Sequence, residues 1–194
     1  MTRGHGKSDL KRQHDMPTVW LMTDPRIATP DLLRAIARLP RGAAIIVRHY
    51  HLSGDDRRAL FDQMRRVAQR RGAKILLAGD AEMARAWGAD GHHGRMPARF
   101  RGKPWLHSAP VHDHRELRLA QRAGADVLLI SPLFATRSHP GAPSLGVSRF
   151  AALARAANVP VIALGGVHPR HAGLVRRLGA AGFAAIDGLV APRR

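Results

Sequence analysis

Four junctions in the chain share one pattern: a glycine ends a helical stretch, and small residues then open an apolar run. They are Gly72-Ala73, Gly88-Ala89-Asp90, Gly124-Ala125-Asp126 and Gly179-Ala180-Ala181-Gly182. Glycine at the end of a helix adopts the left-handed conformation that turns the chain back, at little steric cost. Each junction therefore predicts a helix followed at once by a strand, and repeated alternation of this kind is typical of a parallel sheet.

The whole chain alternates short apolar runs with helical patterns, and this alternation predicts the fold class. Eight apolar runs indicate buried strands, at residues 19–23, 44–49, 74–78, 90–93, 104–108, 126–130, 160–164 and 182–186. Helical patterns lie between them at residues 30–39 (with Thr29 as the cap), 55–71, 80–87, 112–122, 148–156 and 168–178. Eight strand–helix units close most naturally into a small (β/α)8 TIM barrel. The alternative is a doubly wound open parallel sheet.

The length and the composition fit a single globular domain. With 194 residues and 45% apolar content, the chain can bury a sizeable core. We place one barrel domain at residues 17–194, after a disordered basic tail at residues 1–16. Little room remains for a helix between His93 and Pro104 or after Ile186, so the last helix is expected to be reduced.

The same composition bears on where the protein works. No apolar run approaches the roughly 20 residues that span a bilayer, and the N-terminal segment lacks the apolar core of a signal peptide. The chain contains no cysteine, which fits a reducing compartment. We therefore expect a cytoplasmic protein with no membrane partner.

The chain carries a formal charge of +18, almost all of it from arginine. These arginines are spread over most of the predicted helices, which is typical of a solvated outer face rather than of a nucleic-acid-binding stripe. Aromatic residues make up 5% of the chain, too few to favour base stacking. We expect anionic small molecules as partners rather than nucleic acid, and we leave open whether the protein forms a homo-oligomer.

Two loops that follow predicted strands carry the residues that point to a ligand. The loop after the sixth predicted strand runs over residues 131–141 and contains Thr136, Ser138 and His139. The next strand ends in Gly165-Gly166, where the absence of side chains lets backbone N–H groups approach an anion. Ligands of parallel α/β folds bind at the carboxyl ends of the strands. The sequence therefore predicts a site for a phosphorylated small molecule at these loops.

The motifs, in this order and spacing, resemble those of the thiamine phosphate synthase and TenI-like superfamily. The resemblance covers nearly all of residues 17–191 and rests on these segments: Leu21-Met22-Thr23-Asp24, Arg48, Ala78-Gly79-Asp80, Gly88-Ala89-Asp90-Gly91 with His93, the loop at 132–139, and residues 160–167. Members of that superfamily are small phosphate-binding barrels, and the synthases join a pyrimidine pyrophosphate to a thiazole phosphate, releasing pyrophosphate with the assistance of Mg²⁺. The resemblance implies a transferase of thiamine biosynthesis. The alternative is a diverged barrel that binds a phosphorylated ligand without synthase activity.

The resemblance also implies roles for particular residues. Arg48 would face the pyrophosphate, Thr136 and Ser138 would donate hydroxyl hydrogen bonds to it, and His139 stands where the family usually places a lysine. Of these residues, Arg48, Ser138 and His139 would be catalytic. The thiazole phosphate would be cradled by Gly165, Gly166 and Gly188.

The chain departs from the family pattern at several positions. The family's second strand normally ends in a Gln-x-Arg-Glu-Lys run, and here the glutamine and lysine positions are Ile46 and Tyr50. The second magnesium carboxylate is expected near Pro97-Ala98, where no acid is present. Asp187 replaces a small hydroxyl residue beside the phosphate, and like charge lowers affinity for an anion. The TenI tautomerase histidine falls at Pro132, so that activity is not implied.

Asp80 and Ser108 each have two interpretations. Asp80 is either a Mg²⁺ ligand, as the resemblance implies, or the cap of the following helix, and the two roles can coexist. Ser108 ends the fifth predicted strand. It either lines the substrate site at the barrel mouth or merely precedes the next helix.

The histidines also leave alternatives open. His49-x-His51 has the spacing of a zinc-binding pair on one face of a strand. If Arg48 points into the barrel mouth, however, alternation along the strand turns both imidazoles toward the helices. His92-His93 and His107 either form hydrogen bonds at a wet rim or replace lysines as anion ligands when protonated.

Overall fold

The computed structural model describes residues 16–97, 100, 104–137, 141 and 143–190, and its strands form a closed parallel barrel. The strands are β1 (Val19–Met22), β2 (Ala44–Val47), β3 (Lys74–Ala78), β4 (Gly91–His93), β5 (Leu106–Val111), β6 (Val127–Ile130), β7 (Val161–Ala163) and β8 (Gly182–Ala185). They pair in sequence order, and β8 closes the sheet by pairing with β1. The predicted (β/α)8 TIM barrel is confirmed, and the open-sheet alternative is wrong because the sheet has no edge strand.

Helices follow most of the strands in the described part of the chain. They are α1 (Thr29–Arg38), α2 (Gly54–Arg71), α3 (Ala81–Ala86), α4 (His114–Arg122), α5 (Gly146–Ala156), α6 (Ala172–Arg177) and α7 (Asp187–Val190), with a 3₁₀ turn at Pro169–His171 before α6. No helix occurs between β4 and β5 among the described residues, and α7 has four residues, as the short segments there predicted. No helix in the described ranges is long and apolar enough to cross a membrane.

Local capping explains where several helices begin and end. The Ser53 hydroxyl accepts a hydrogen bond from the Asp56 N–H at 3.1 Å, and α2 ends at Gly72, whose φ is 65°. Asp113 caps α4 in the same way. The predicted cap of α1 is wrong by one residue: Ala28 is the cap and Thr29 already lies in the helix, because Pro30 is preorganised for the first helical turn.

Alternation along the strands determines which side chains reach the barrel mouth. One apolar cluster fills the barrel interior: Trp20, Met22, Ala44, Ile46, Leu76, Ala78, Leu106, Val127, Leu129, Ile162 and Ala184. The intervening residues, such as Ile45 and Leu77, pack under the helices. Because strand side chains alternate with a period of two, the residue that continues the inward series past Ile46 is Arg48.

The fifth strand lies further along the chain than predicted. It runs from Leu106 to Val111 rather than over residues 104–108. The added length includes Pro110, which has no N–H to donate to a neighbouring strand. However, β4 pairs only with Leu106 to Ser108, while β6 pairs with Ser108 to Val111. Past Ser108, β5 no longer pairs with β4, so no described strand on the β4 side needs a hydrogen bond from the position of Pro110.

Two other boundaries also differ from the prediction. Strand β2 ends at Val47 rather than at His49, because His49 adopts a left-handed φ of 41° that breaks the extended conformation. The pattern over residues 168–178 forms the 3₁₀ turn and α6 rather than one helix. Of the predicted tail, residues 1–15 lie outside the described residues.

Candidate functional site

Arg48 lies at the mouth of the barrel, just past the carboxyl end of β2. Its Nε donates to the carbonyl oxygen of Thr23 at 2.8 Å, and its Nη2 donates to Oδ2 of Asp24 at 2.9 Å. Burial lowers the pKa of Arg48, while the negative charge of Asp24 opposes that shift. The side chain remains 22% exposed. A guanidinium held at two points and open to solvent suits a diphosphate, whose oxygens match its donor geometry.

Asp24 and Arg26 are rim residues to which the sequence analysis gave no role. Oδ1 of Asp24 accepts hydrogen bonds from the backbone N–H of Arg26 at 3.0 Å and from its Nε at 2.8 Å. Burial acts to raise the pKa of Asp24. The hydrogen bonds from Arg26 and the nearby guanidinium charges outweigh burial and hold that pKa below its usual value. Their position directly after β1, at the carboxyl end of a barrel strand, was the available signal.

A cavity of about 250 Å³ lies between the loops that follow β6, β7 and β8. We call it the glycine cup; it is lined by residues 135–137, 164–168 and 184–188. The structure brings together four predicted ligand-binding residues in this lining, namely Thr136, Gly165, Gly166 and Gly188. The predicted catalytic residues Ser138 and His139 lie outside the described residues.

The two adjacent glycines of the cup are required by close packing against the β6 loop. Gly165 and Gly166 have φ angles of 90° and 63°. A Cβ on Gly165 would lie 2.5 Å from Cα of Pro132, and one on Gly166 would lie 2.4 Å from the carbonyl oxygen of Ala135. Within the described residues, the N–H groups of both glycines donate no hydrogen bond. Such unpaired N–H groups in a concave loop are typical of anion sites.

Asp187 lines the glycine cup and is paired with arginine. Its Oδ2 lies 3.1 Å from Nη2 of Arg137 and 4.0 Å from Nη2 of Arg26. Because like charges repel, this carboxylate was expected to lower the affinity of the site for an anion. The structure adds that two guanidinium groups offset its charge, so the cup is not a negatively charged cavity.

Asp80 lies beyond the carboxyl end of β3 and caps α3. Its Oδ1 accepts a hydrogen bond from the Met83 N–H at 2.7 Å, so the capping interpretation is confirmed. Asp80 also lines a second cavity of about 590 Å³, together with Glu82 and Pro97. Mg²⁺ in proteins is typically held by one or two carboxylates together with water and substrate phosphates. An exposed carboxylate such as Asp80 fits that chemistry, and its role as a metal ligand stays a prediction.

Ser108 lies below the rim rather than at the mouth. It is fully buried within β5, which continues for three residues beyond it. Its Oγ lies 2.9 Å from Nδ1 of His93 and donates to the carbonyl oxygen of His92 at 3.3 Å. Burial lowers the pKa of His93 to about 3, so this imidazole is neutral inside the barrel. The hydroxyl of Ser108 is thus engaged in the barrel wall.

His49 is buried and hydrogen-bonded to Thr23. Its Nδ1 lies 3.0 Å from Oγ1 of Thr23, which also accepts a hydrogen bond from the Arg48 N–H at 3.0 Å. Burial, with smaller contributions from His51 and Arg48, lowers the pKa of His49 to about 4. No group of three potential metal ligands is found among the described side chains, so the structure gives the zinc hypothesis no third ligand there.

His92 and His107 form a stacked pair outside the barrel interior. The rings of His92 and His107 are 4.3 Å apart between centroids and nearly parallel, at 16°. Nε1 of Trp105 donates to Nδ1 of His92 at 3.0 Å, and Nε2 of His92 lies 3.1 Å from the carbonyl oxygen of Met96. These contacts agree with the hydrogen-bonded interpretation of the pair.

The amino-acid sequence is similar to those of thiamine-phosphate synthases over most of its length. A family profile described as "Thiamine monophosphate synthase" matches residues 19–189. The chain is 30% identical over 183 residues to a thiamine-phosphate synthase of Roseiflexus sp., covering 89% of this chain and 78% of that protein. It is 29% identical over 160 residues to a thiamine-phosphate synthase of Chloroflexus aurantiacus, covering 77% and 74%.

A solved structure shows the same fold. It is that of the thiamine phosphate pyrophosphorylase from Pyrococcus furiosus, which superposes with a TM-score of 0.74 at 21% identity, covering 92% of this chain and 90% of that one. The barrel, the loop motifs and the match over nearly its whole length together show that this chain belongs to the thiamine monophosphate synthase and TenI family.

Proposed function

We propose that the protein is a transferase that joins a hydroxymethylpyrimidine pyrophosphate to a thiazole phosphate and releases pyrophosphate. The observation that supports it most is the glycine cup, where Arg137 and two N–H groups that donate no hydrogen bond among the described residues line one cavity. A cavity of that size and chemistry suits a phosphoryl group. The names of the relatives, thiamine-phosphate synthases, support the same reaction.

The arrangement of charges fits two anionic substrates. A row of alternating charges runs along the rim from the carboxyl end of β2 to the cup, in the order Arg48, Asp24, Arg26, Asp187 and Arg137. Arg48 would bind the diphosphate at one end of this row, and the glycine cup would bind the thiazole phosphate at the other. Holding both substrates in this way positions the thiazole nitrogen for attack on the pyrimidine methylene carbon.

The reaction itself requires little from side chains beyond electrostatic stabilisation. The bond between the methylene carbon and the diphosphate oxygen breaks, and its electron pair leaves with the diphosphate. The nitrogen lone pair of the thiazole forms the new carbon–nitrogen bond, and no proton is transferred. Arg48 stabilises the leaving group as its charge develops. A bound Mg²⁺, with Asp80 as its protein ligand, would neutralise part of the same charge.

A second candidate is a barrel that binds a phosphorylated ligand without this reaction. Ile46 is fully buried in the interior cluster and Tyr50 is 62% exposed. At these two positions the mouth therefore lacks the amide and the ammonium group with which the family's glutamine and lysine would hold a diphosphate. In this case, inorganic phosphate, pyrophosphate or thiamine phosphate should raise the melting temperature, and no product should form.

Turnover of the two substrates in the presence of Mg²⁺ tests the first candidate. We expect thiamine phosphate to form, and Arg48→Met should lower the rate about 100-fold or more, as loss of an anion-stabilising donor does in other enzymes. Arg66→Met, at an exposed position of α2, is the matched control and should retain full activity. Absence of product with folded wild-type protein, combined with stabilisation by the ligands, would establish the second candidate instead.

A further inference from the structure

The ion pair between Arg137 and Asp187 differs in kind from the pair between Arg48 and Asp24. The Asp24 side chain is 7% exposed and binds two guanidinium groups at 2.8 and 2.9 Å. Arg137 is 77% exposed and Asp187 is 34% exposed. Pairs with that much solvent exposure contribute little to stability and exchange partners readily. Of these two ion pairs, Arg137–Asp187 is therefore the one whose arginine can more readily leave its carboxylate for another anion.

The position of this pair matters because both residues line the glycine cup. The cup also contains Gly165 and Gly166, whose N–H groups donate no hydrogen bond within the described residues. Arg137 lines the same cavity as those N–H groups, so a phosphoryl group bound in the cup shares the cavity with this residue. The planar guanidinium group forms bidentate, charge-assisted hydrogen bonds with phosphoryl groups as well as with carboxylates, so the two anions compete for it.

We propose that Asp187 is a specificity-determining residue of the cup, because its carboxylate pairs with Arg137 in the cup lining and competes with an incoming phosphoryl group for that guanidinium. The inference rests on the proposed phosphate-binding role of the cup. In the unliganded cup the Asp187 carboxylate occupies Arg137 as a phosphoryl group would. A phosphoryl dianion must therefore displace this carboxylate from Arg137, and it then lies near the negative charge of Asp187. A neutral hydroxyl group meets neither obstacle.

Two consequences distinguish this role from a purely structural one. Removing the charge of Asp187 should strengthen binding of a phosphorylated ligand and leave binding of its unphosphorylated alcohol unchanged. Removing Arg137 should weaken binding of the phosphorylated ligand alone. The gain from the Asp187 change should also shrink when Arg137 is absent, since the competition acts through that side chain.

Calorimetric titration with inorganic phosphate, the thiazole phosphate and the thiazole alcohol measures these effects. We expect Asp187→Asn to tighten binding of both phosphates about 3- to 10-fold, and Arg137→Met to weaken it about 10-fold. Asp62→Asn is the control, since it removes the same charge from an ion pair of 2.8 Å on α2. That control should leave all three affinities unchanged.

The outcomes separate this inference from the proposed function. Phosphate binding that weakens in Arg137→Met but does not tighten in Asp187→Asn would overturn the inference and leave the cup as the site. Weaker binding in Asp187→Asn would likewise overturn it, because Asp187 would then position Arg137 rather than compete for it. Phosphate binding that responds neither to Arg137→Met nor to Gly166→Ala would place the anion elsewhere and overturn the proposed function as well.

Discussion

Replacing Gly166 by alanine tests whether the glycine cup depends on the close approach of two loops. Gly166 has a φ of 63°, and a Cβ there would lie 2.4 Å from the carbonyl oxygen of Ala135 and 2.8 Å from Cβ of Phe134. The left-handed conformation costs alanine about 1–2 kcal/mol. Overpacking against the neighbouring backbone typically adds about 1–3 kcal/mol. We therefore expect Gly166→Ala to lower the free energy of unfolding by about 2–5 kcal/mol.

Gly72→Ala is a closely matched control for this substitution. Gly72 ends α2 with a φ of 65°, and a Cβ there would meet no atom within 4 Å. It carries the cost of the left-handed conformation, about 1–2 kcal/mol, without any steric collision. The difference between the two variants therefore isolates the contact between the β6 and β7 loops.

Urea unfolding followed by circular dichroism measures both stabilities, and calorimetric titration with inorganic phosphate measures the cup. An added Cβ must push apart the loops that form the cup and so displace its N–H groups, and Gly166→Ala should therefore weaken phosphate binding. Gly72→Ala should bind phosphate as the wild type does. Equal losses of stability in the two variants, or an unchanged phosphate affinity in folded Gly166→Ala protein, would refute the reasoning.

Three further predictions concern the rim and the buried histidines. Arg57 donates to the carbonyl oxygens of residues 48 and 78 at 2.7 and 2.6 Å, so Arg57→Met should lower the free energy of unfolding by about 3–5 kcal/mol. The control Arg66→Met, at an exposed position of the same helix, should change that free energy by less than about 0.5 kcal/mol. Similar losses in the two variants would contradict this prediction. Asp80→Ser keeps a capping oxygen and removes the carboxylate, so urea unfolding should show wild-type stability while turnover loses its response to Mg²⁺; an unaltered Mg²⁺ dependence would exclude Asp80 as the ligand. Burial lowers the pKa of His49 to about 4 and that of His93 to about 3, whereas histidines of the unfolded chain take up protons below about pH 6.5. The free energy of unfolding should therefore fall as the pH drops from 6.5 to 4, by up to about 1.4 kcal/mol per pH unit for each histidine. A flat profile between pH 7 and 4 in urea unfolding would count against this.

The sequence predicted the helices and strands well where local chemistry decides them. Gly72 ends its helix as expected, and the strand after it was predicted with its observed bounds, Lys74–Ala78. The end of β5 was misplaced because the strand continues past the three residues that pair with β4, through its pairing with β6. That information lies in the pairing of β4 and β5, and no local pattern carries it.

The candidate site shows the same division. Gly165, Gly166, Gly188 and Thr136 were predicted from loop position and family resemblance, and the structure places all four around one cavity. Ser108 was predicted to end its strand, and either to line the substrate site at the mouth or to precede the next helix. The longer strand instead buries it beneath the rim, beside His93.

From the sequence alone, the alternation of strands and helices, the glycine-rich loops and hence the barrel could be derived, because each depends on residues close together along the chain. Only the tertiary structure decided which charges meet. Arg137 and Asp187 are 50 positions apart in the chain, and Arg48 and Asp24 are 24 apart. Closure of the barrel brings the carboxyl ends of all eight strands to one rim, and it is this convergence that pairs these side chains at the mouth.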